Sequence, residues 1–336
     1  VVAPYFLDLP TADQRDVLEA VAAITGLPPR IIEKDVWVCW SLAAVFSAGA
    51  AVPMAFKGGT SLSKVFGVID RFSEDLDLTI GFLQADEPIP KSRNQRDKMS
   101  FLLRERVAAH IYGVVMPHLR TEVGRVASGR TVSFDGADVV TVSYASCLKQ
   151  AGGYVEPQVR LEFGGRNRIT PNEWHTVSTY IEAAGIDVMA PRASVMVLSP
   201  SRTFWEKVTL VHAACSRPEW RSDGARISRH WSDLASLAQH PVGERALADR
   251  AVFEDVVRIK SAFWSTVTAN YGRCLTGECR LVPRGELLKG LQRDYREMIS
   301  AGMFASTPLT FEELLDCIRG LESRINAEFT RRPGTD

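Results

Sequence analysis

Apolar and polar positions recur with two different periods along this chain, and the change of period divides it in two. Thr11 to Thr25 has helical spacing. It opens on TADQ, with the capping-box separation of Thr11 and Gln14, and stops before Gly26. Pro28 and Pro29 then introduce a second helix over Arg30 to Ser47, polar at its start (RIIEKD) and apolar afterwards (VWVCWSLAAVF). Residues 53 to 57 read as a strand, followed by a Gly-Gly turn, a short helix (TSLSKVFGVI), a loop and the strand DLDLTIGF. A polar, basic run from Lys91 to Arg106 begins a long helix reaching about Leu119. Strands over 131–135 and 138–145 pair across Asp135-Gly136, and VRLEF forms another at 159–163.

From Ser201 onward the period is helical, with helices expected near 202–215, 228–239, 247–270, 284–301 and 310–329. The segment APRASVMVLSPS, near 190 to 200, reads as the boundary. The expected architecture is α+β: a mixed-sheet domain over residues 1–195 and an all-helical domain over 196–336.

Composition narrows the class. With 336 residues, 46% hydrophobic and 24% charged, the chain can bury one large core or two ordinary ones, which excludes disordered, collagen-like and disulfide-miniprotein classes. Forty basic residues balance forty acidic ones, so any polyanion must be held by a local patch. Six scattered cysteines fit a reducing cytoplasm. Cys274 and Cys279 could hold half a metal site, but the sequence offers no second pair or neighbouring histidine to complete it. The uncharged run from 36 to 56 is broken by Ser41, Ser47, Gly49 and Pro53, so it reads as a buried helix, a turn and a strand rather than a membrane span. The N-terminus shows no charged-then-apolar leader pattern.

The chemistry concentrates between Gly58 and Thr79. Strand alternation puts Asp75, Asp77 and Thr79 on one face and Leu76, Leu78 and Ile80 on the other. Side-by-side carboxylates repel unless a cation separates them, and hard oxygen ligands suit Mg²⁺ or Mn²⁺. The bland alternative is an edge strand with two solvated aspartates. Upstream, Gly58 and Gly59 allow close backbone approach to a phosphate, and Thr60 and Ser61 add hydroxyl donors at the start of a helix. The spacing is not that of a Walker A loop. A phosphate turn followed by a carboxylate pair is the minimal apparatus for moving a nucleotidyl group from a nucleoside triphosphate. A third acid comes from VRLEFGGR, where Arg160 and Glu162 share a face. Glu162 is the candidate, and a simple surface ion pair with an arginine is the alternative.

The run KGGTSLSKVFGVIDRFSEDLDL resembles the first motif of the AbiEii/AbiGii nucleotidyltransferase toxins, the toxin half of type IV toxin-antitoxin pairs, within the DNA polymerase β-like superfamily. IIEKDVWVCWSL resembles that family's N-terminal helix, VRLEFGGR its second motif, SRTFWEKVTLVHA its third and SRHWSDLASL its fourth. The resemblance implies a polymerase β-like nucleotidyltransferase domain followed by helices. It implies that Gly58, Gly59, Thr60 and Ser61 form the phosphate turn, that Asp75, Asp77 and Glu162 bind metal, that Lys207 contacts the triphosphate, and that Asp233 is the fourth-motif acid serving the active site from the helical domain. The chain departs from the pattern in having Glu162 where relatives often have Asp, and in a Gly59 to Asp75 spacing longer than in the wider superfamily. By themselves, Lys207 reads as a surface lysine, and Arg202/Glu206 and Arg229/Asp233 as ordinary i,i+4 pairs.

Arg217, Arg221, Arg226 and Arg229, with Trp220, His230 and Trp231, offer phosphate grips and base-stacking rings, and Lys91, Arg93, Arg96, Lys98, Arg104 and Arg106 form a second basic stretch. Solvated helix faces are the plainer reading of both. Relatives that modify the 3′ end of tRNA make tRNA the first acceptor expected, so the chain would transfer NMP to tRNA with Mg²⁺, block translation and growth, and be restrained by a cognate antitoxin protein. Transfer to a protein hydroxyl, a non-catalytic nucleotide sensor and a structural RNA-binding module are the alternatives. Phosphorylation of Ser73, two residues before Asp75, would add negative charge beside the carboxylates and silence the enzyme.

Overall fold

The computed structural model describes residues 3–49, 52–126, 129–148, 156–217, 226–264 and 268–330. It is a mixed α+β protein that divides into two compact units. The first comprises residues 1–67, 72–86 and 101–198, and the second 68–71, 87–100 and 199–336.

The first unit opens with α1 (Thr11–Thr25) and α2 (Pro29–Phe46). The TADQ box does not form: Thr11 is already the first helical residue, Pro10 takes the cap position, and the Gln14 amide donates instead to the Phe6 and Leu9 carbonyls. Gly26, at φ +72°, closes α1 in the left-handed conformation open to glycine. After β1 (Met54–Lys57) come α3 (Gly58–Lys64) and β2 (Leu76–Ile80). The long helix runs as α4 (Arg93–His110), a π-helical turn (Ile111–Val115) and α5 (Met116–Arg125). The expected hairpin is β3 (Thr131–Phe134) and β4 (Val139–Ser143), its turn fastened by Asp135 Oδ1, which accepts from the amides of Ala137, Asp138 and Val139.

β5 (Gln158–Gly164), β6 (Asn172–Val177), the short α6 (Tyr180–Ala183) and β7 (Ala193–Leu198) complete this unit. The sheet order is β3-β4-β5-β2-β1-β7-β6. The acid-bearing β2 is therefore central, antiparallel to β1 and parallel to β5. The segment read as a boundary contains β7, which lies parallel beside β1 and ends at Leu198, where the first unit ends. No strand was expected here, although ASVMVL alternates buried and more exposed positions as a strand does. Ile32, Val36, Trp37, Val38 and Leu42 of α2 join Leu76, Leu78, Leu161 and Val195 of the sheet in one core. Each large side chain buried there contributes roughly 1.5–3 kcal/mol.

The second unit contains α7 (Pro200–Cys215), α8 (Ser228–Gln239), α9 (Pro241–Ala248), α10 (Arg250–Phe263), a 3₁₀ turn (Tyr271–Thr276), α11 (Gly285–Ser300) and α12 (Phe311–Thr330). The single helix expected over 247–270 does not exist: Asp249 breaks the run and caps α10 by accepting from the Val252 amide, and α10 ends at Phe263. Trp205 stacks on Phe253 at 3.9 Å and sends its indole N–H to the Ala246 carbonyl, tying α7, α9 and α10 together. Residues 68–71 dock in this unit through the Ala305 amide, which donates to the Asp70 carbonyl, and a bridge between Arg71 and Phe304. Among the described residues no helix is long and apolar enough to cross a membrane.

Candidate functional site

In the first unit the Gly-Gly turn meets the Asp77 carboxylate directly. Gly58 starts α3 at φ +82°, and a Cβ built there would fall 2.0 Å from Asp77 Oδ2. Two independent constraints therefore select glycine: the left-handed backbone and the carboxylate lying against it. Lys57 and Asp77 are paired in the β1/β2 register, which brings the turn and this acid to one end of the strands.

Asp77 is also the register partner of Glu162 on parallel β5, so both carboxylates project from the same face of neighbouring strands. The Glu162 carboxyl is pushed above its ordinary value by partial burial first, then by the negative charges of Asp77 and Asp75. Arg160 opposes that shift, but its contact with Glu162 is 3.4 Å long and about half-exposed on both sides. The surface pair weighed as an alternative thus exists, and it leaves the carboxylate repulsion in place. Three repelling oxygen donors suit a hard divalent cation. Their ligand atoms are not all mutually within 4.8 Å; among the described residues only His212, Cys274 and Cys279 meet that condition.

Thr60 and Ser61 are fully buried. The Thr60 hydroxyl donates to the Asp75 carbonyl at 2.5 Å and the Ser61 hydroxyl to the Gly58 carbonyl at 2.9 Å, so both brace the turn and the strand entrance. Ser73 is buried too, and a kinase would reach it only if this loop opened.

Three consecutive charged residues of α2 are buried and hold this region in shape. Glu33 accepts from the Ser146 hydroxyl and the Cys147 amide. Lys34 pairs with Glu74 at 2.9 Å, one residue before Asp75, and donates to the Glu156 carbonyl. Asp35 pairs with Lys64, at the end of α3, at 2.6 Å and accepts from the Tyr180 amide. Sequence reasoning assigned this triplet no role. Its signal was three charges inside an otherwise apolar helix.

Within the second unit, Asp233 is completely buried. Its two oxygens accept from Arg71 at 2.6 and 2.8 Å, and Lys207 Nζ lies 2.7 Å from Oδ2. The two cations hold its carboxyl far below the usual range, against the opposing effect of burial. The expected surface lysine and i,i+4 acid are thus a buried cluster. Arg71 was missed by sequence reasoning because its partner lies 162 positions away. Partly buried His230 is held well below its ordinary value by burial, Lys207 and Arg229.

The expected acceptor patches separate. Trp231 is buried, with its indole N–H on the Leu281 carbonyl, so it is a core residue and cannot stack a base. Arg217 is exposed, Arg226 and Arg229 are partly buried, and the Arg226 and Ser228 amides donate to Asp294. Trp220 and Arg221 lie outside the described residues. In the other stretch Lys91, Arg93, Lys98, Arg104 and Arg106 are exposed and Arg96 is partly so. Arg104 and Arg166 line a cleft of about 280 Å³ in the first unit, with Phe101, Phe163 and the Gly164-Gly165 turn, and Arg166 is lowered by burial and by the charge of Arg104.

A model of the family described as nucleotidyl transferase AbiEii toxin, type IV TA system, matches residues 41–317. No curated protein matches the chain. Among solved structures, the chain is similar to MenT4, a nucleotidyltransferase toxin from Mycobacterium tuberculosis H37Rv. The identity is 18%, the match covers 94% of this chain and 89% of that one, and the TM-score is 0.46.

Proposed function

Because this chain belongs to the AbiEii family of type IV toxin-antitoxin nucleotidyltransferase toxins, we propose that it transfers NMP from an NTP to the 3′ end of tRNA, in the cytoplasm, and so blocks translation and growth until a cognate antitoxin restrains it. The observation that carries this reading is the Asp77 carboxylate, seated against Gly58 and beside Glu162 in register, which puts a carboxylate cluster against a Gly-Gly turn.

In this reading the phosphate turn and the carboxylates carry the transfer, and Lys207 with its positioning acid takes the role that the third and fourth motifs imply. The amides of Gly58 and Gly59 hold the phosphates, while Thr60 and Ser61 keep the turn in shape. Asp75, Asp77 and Glu162 hold Mg²⁺ or Mn²⁺. When bound, such an ion acidifies the acceptor hydroxyl and neutralises charge on the pyrophosphate. A carboxylate oxygen of Asp75 or Asp77 takes the acceptor proton as the acceptor oxygen bonds to the α-phosphorus. The bond from that phosphorus to the bridging oxygen breaks and pyrophosphate leaves. Lys207 gives its positive charge to the triphosphate, and Asp233, buried between two cations, orients it rather than touching substrate. The cleft carrying Arg104 and Arg166 is the better acceptor surface of the two, because its arginines face a cavity.

The test incubates purified protein with each α-³²P NTP, Mg²⁺ and total tRNA, alongside Asp77→Ala. Label in tRNA that Asp77→Ala reduces about a hundredfold or more is the expected result, as for removal of one preorganised electrostatic group. Label confined to polypeptide would move the acceptor to a protein hydroxyl. No label with any NTP would reduce the chain to a nucleotide sensor.

A further inference from the structure

The second unit contains a group of potential ligands that the transfer chemistry proposed above does not use. His212 on α7 and Cys274 and Cys279 at the two ends of the turn CLTGEC are all buried, and one potential ligand atom from each lies within 4.8 Å of the others. A tetrahedral zinc ion with sulfur and nitrogen ligands at about 2.0–2.3 Å separates those ligands by roughly 3.3–3.8 Å. The cluster is therefore within a small rotamer adjustment of that geometry. The sequence hid it, because His212 precedes Cys274 by 62 positions, the difference of their numbers.

The surroundings are built to hold the group in place. Gly277, at φ +75°, turns the chain between the cysteines, and any side chain there would strike Thr330 Oγ1 of α12 at 2.0 Å. Asn326 of α12 clamps Cys279 from both sides, accepting from its amide at 2.7 Å and donating to its carbonyl at 3.0 Å. Glu322, one turn earlier on α12, accepts from the Leu281 and Val282 amides. On the histidine, Nδ1 accepts from the Arg280 amide at 3.0 Å, so Nε2 carries the proton and points it at the Asn270 carbonyl 3.2 Å away. A ring nitrogen anchored on a backbone carbonyl is how a metal-binding histidine is normally fixed, with the other lone pair turned to the ion.

We propose that His212, Cys274 and Cys279, joined by Cys215 as the fourth ligand, form a structural Zn²⁺ site that pins the 271–282 loop to α7 and α12. Cys215 lies three residues after His212 on α7, on the same helix face but outside the 4.8 Å group of the other three, so its side chain turns inward on loading. His-x₂-Cys on a helix and Cys-x₄-Cys on a turn make a Cys₃His set, a common composition of closed zinc sites. On loading, Nδ1 exchanges the Arg280 amide for the metal.

The test uses the full chain, purified without chelators and freed of any histidine tag. Elemental analysis should return one zinc per chain. Replacement of that zinc by Co²⁺ should give thiolate-to-cobalt charge-transfer absorption and the visible bands of a tetrahedral ion. Cys274→Ser with Cys279→Ser should abolish both signals, and Cys215→Ser should weaken metal affinity by about tenfold or more. Wild-type protein that carries no zinc and gives no cobalt spectrum at equimolar metal overturns the proposal, whatever the folding of the variants. So does an intact mass two hydrogens short, which would mean a Cys274–Cys279 disulfide.

Discussion

Gly58 and Glu162 show how single positions shape the candidate site. Gly58→Ala introduces a Cβ into the Asp77 carboxylate and forces alanine to φ +82°, a backbone cost of about 1–3 kcal/mol. We expect a fall in Tm and a loss of transfer activity greater than the stability loss explains. Circular dichroism melts and the labelled-NTP assay compare the two, and an unimpaired Gly58→Ala enzyme would contradict the contact. Glu162 gives a pH signature. Its folded pKa is raised above the ordinary value near 4.3, so the folded state holds that proton more tightly than the unfolded chain does. The resulting stabilisation is complete below the ordinary value and disappears as pH rises through the folded value, leaving three repelling carboxylates. A divalent ion competes for the same oxygens. Added Mg²⁺ should therefore raise Tm more at neutral pH than at about pH 4.5, and Asp77→Asn should remove the difference. The acids and glycines were legible because strand alternation and a Gly-Gly turn are local patterns. Lys34, Arg71 and His212 were not, because their meaning lies in partners far along the chain.

At the level of elements, α2 is a core helix that also braces the acid-bearing loop. Its apolar second half was readable from periodicity, while the burial of Glu33, Lys34 and Asp35 was not, since charges at a helix start normally face water. The Lys34–Glu74 pair makes this testable. Lys34→Met removes the buried cation 2.9 Å from Glu74 and should destabilise the fold by up to about 3–5 kcal/mol, whereas Lys34→Met with Glu74→Leu should recover most of that loss. Denaturant unfolding of the two variants decides the point, and equal destabilisation would show the pair to be uncoupled. β7 shows the opposite failure, in which a strand inside the boundary segment was passed over although buried Ala193, Val195 and Val197 alternate with Ser194 and Met196.

For the molecule as a whole, the change from mixed sheet to helices was legible because the hydrophobic period itself changes. The interleaving of the two units was not. Residues 68–71 and 87–100 belong with the helices although they lie in the first third of the chain. A fragment beginning at Ser199 therefore lacks Arg71, leaving Asp233 with Lys207 alone among the two cations described on it. We expect that fragment to unfold at lower denaturant than the helical unit does within the full chain, and a peptide of residues 66–74 added in trans to raise its stability in proportion to peptide concentration. A fragment as stable as the whole would refute this.

The Arg71–Asp233 pair also acts as a clock. Its two halves leave the ribosome 162 residues apart, so a nascent chain displays its carboxylate strand long before the cluster around Lys207 can assemble. Prematurely terminated products shorter than 233 residues lack the assembled cluster altogether.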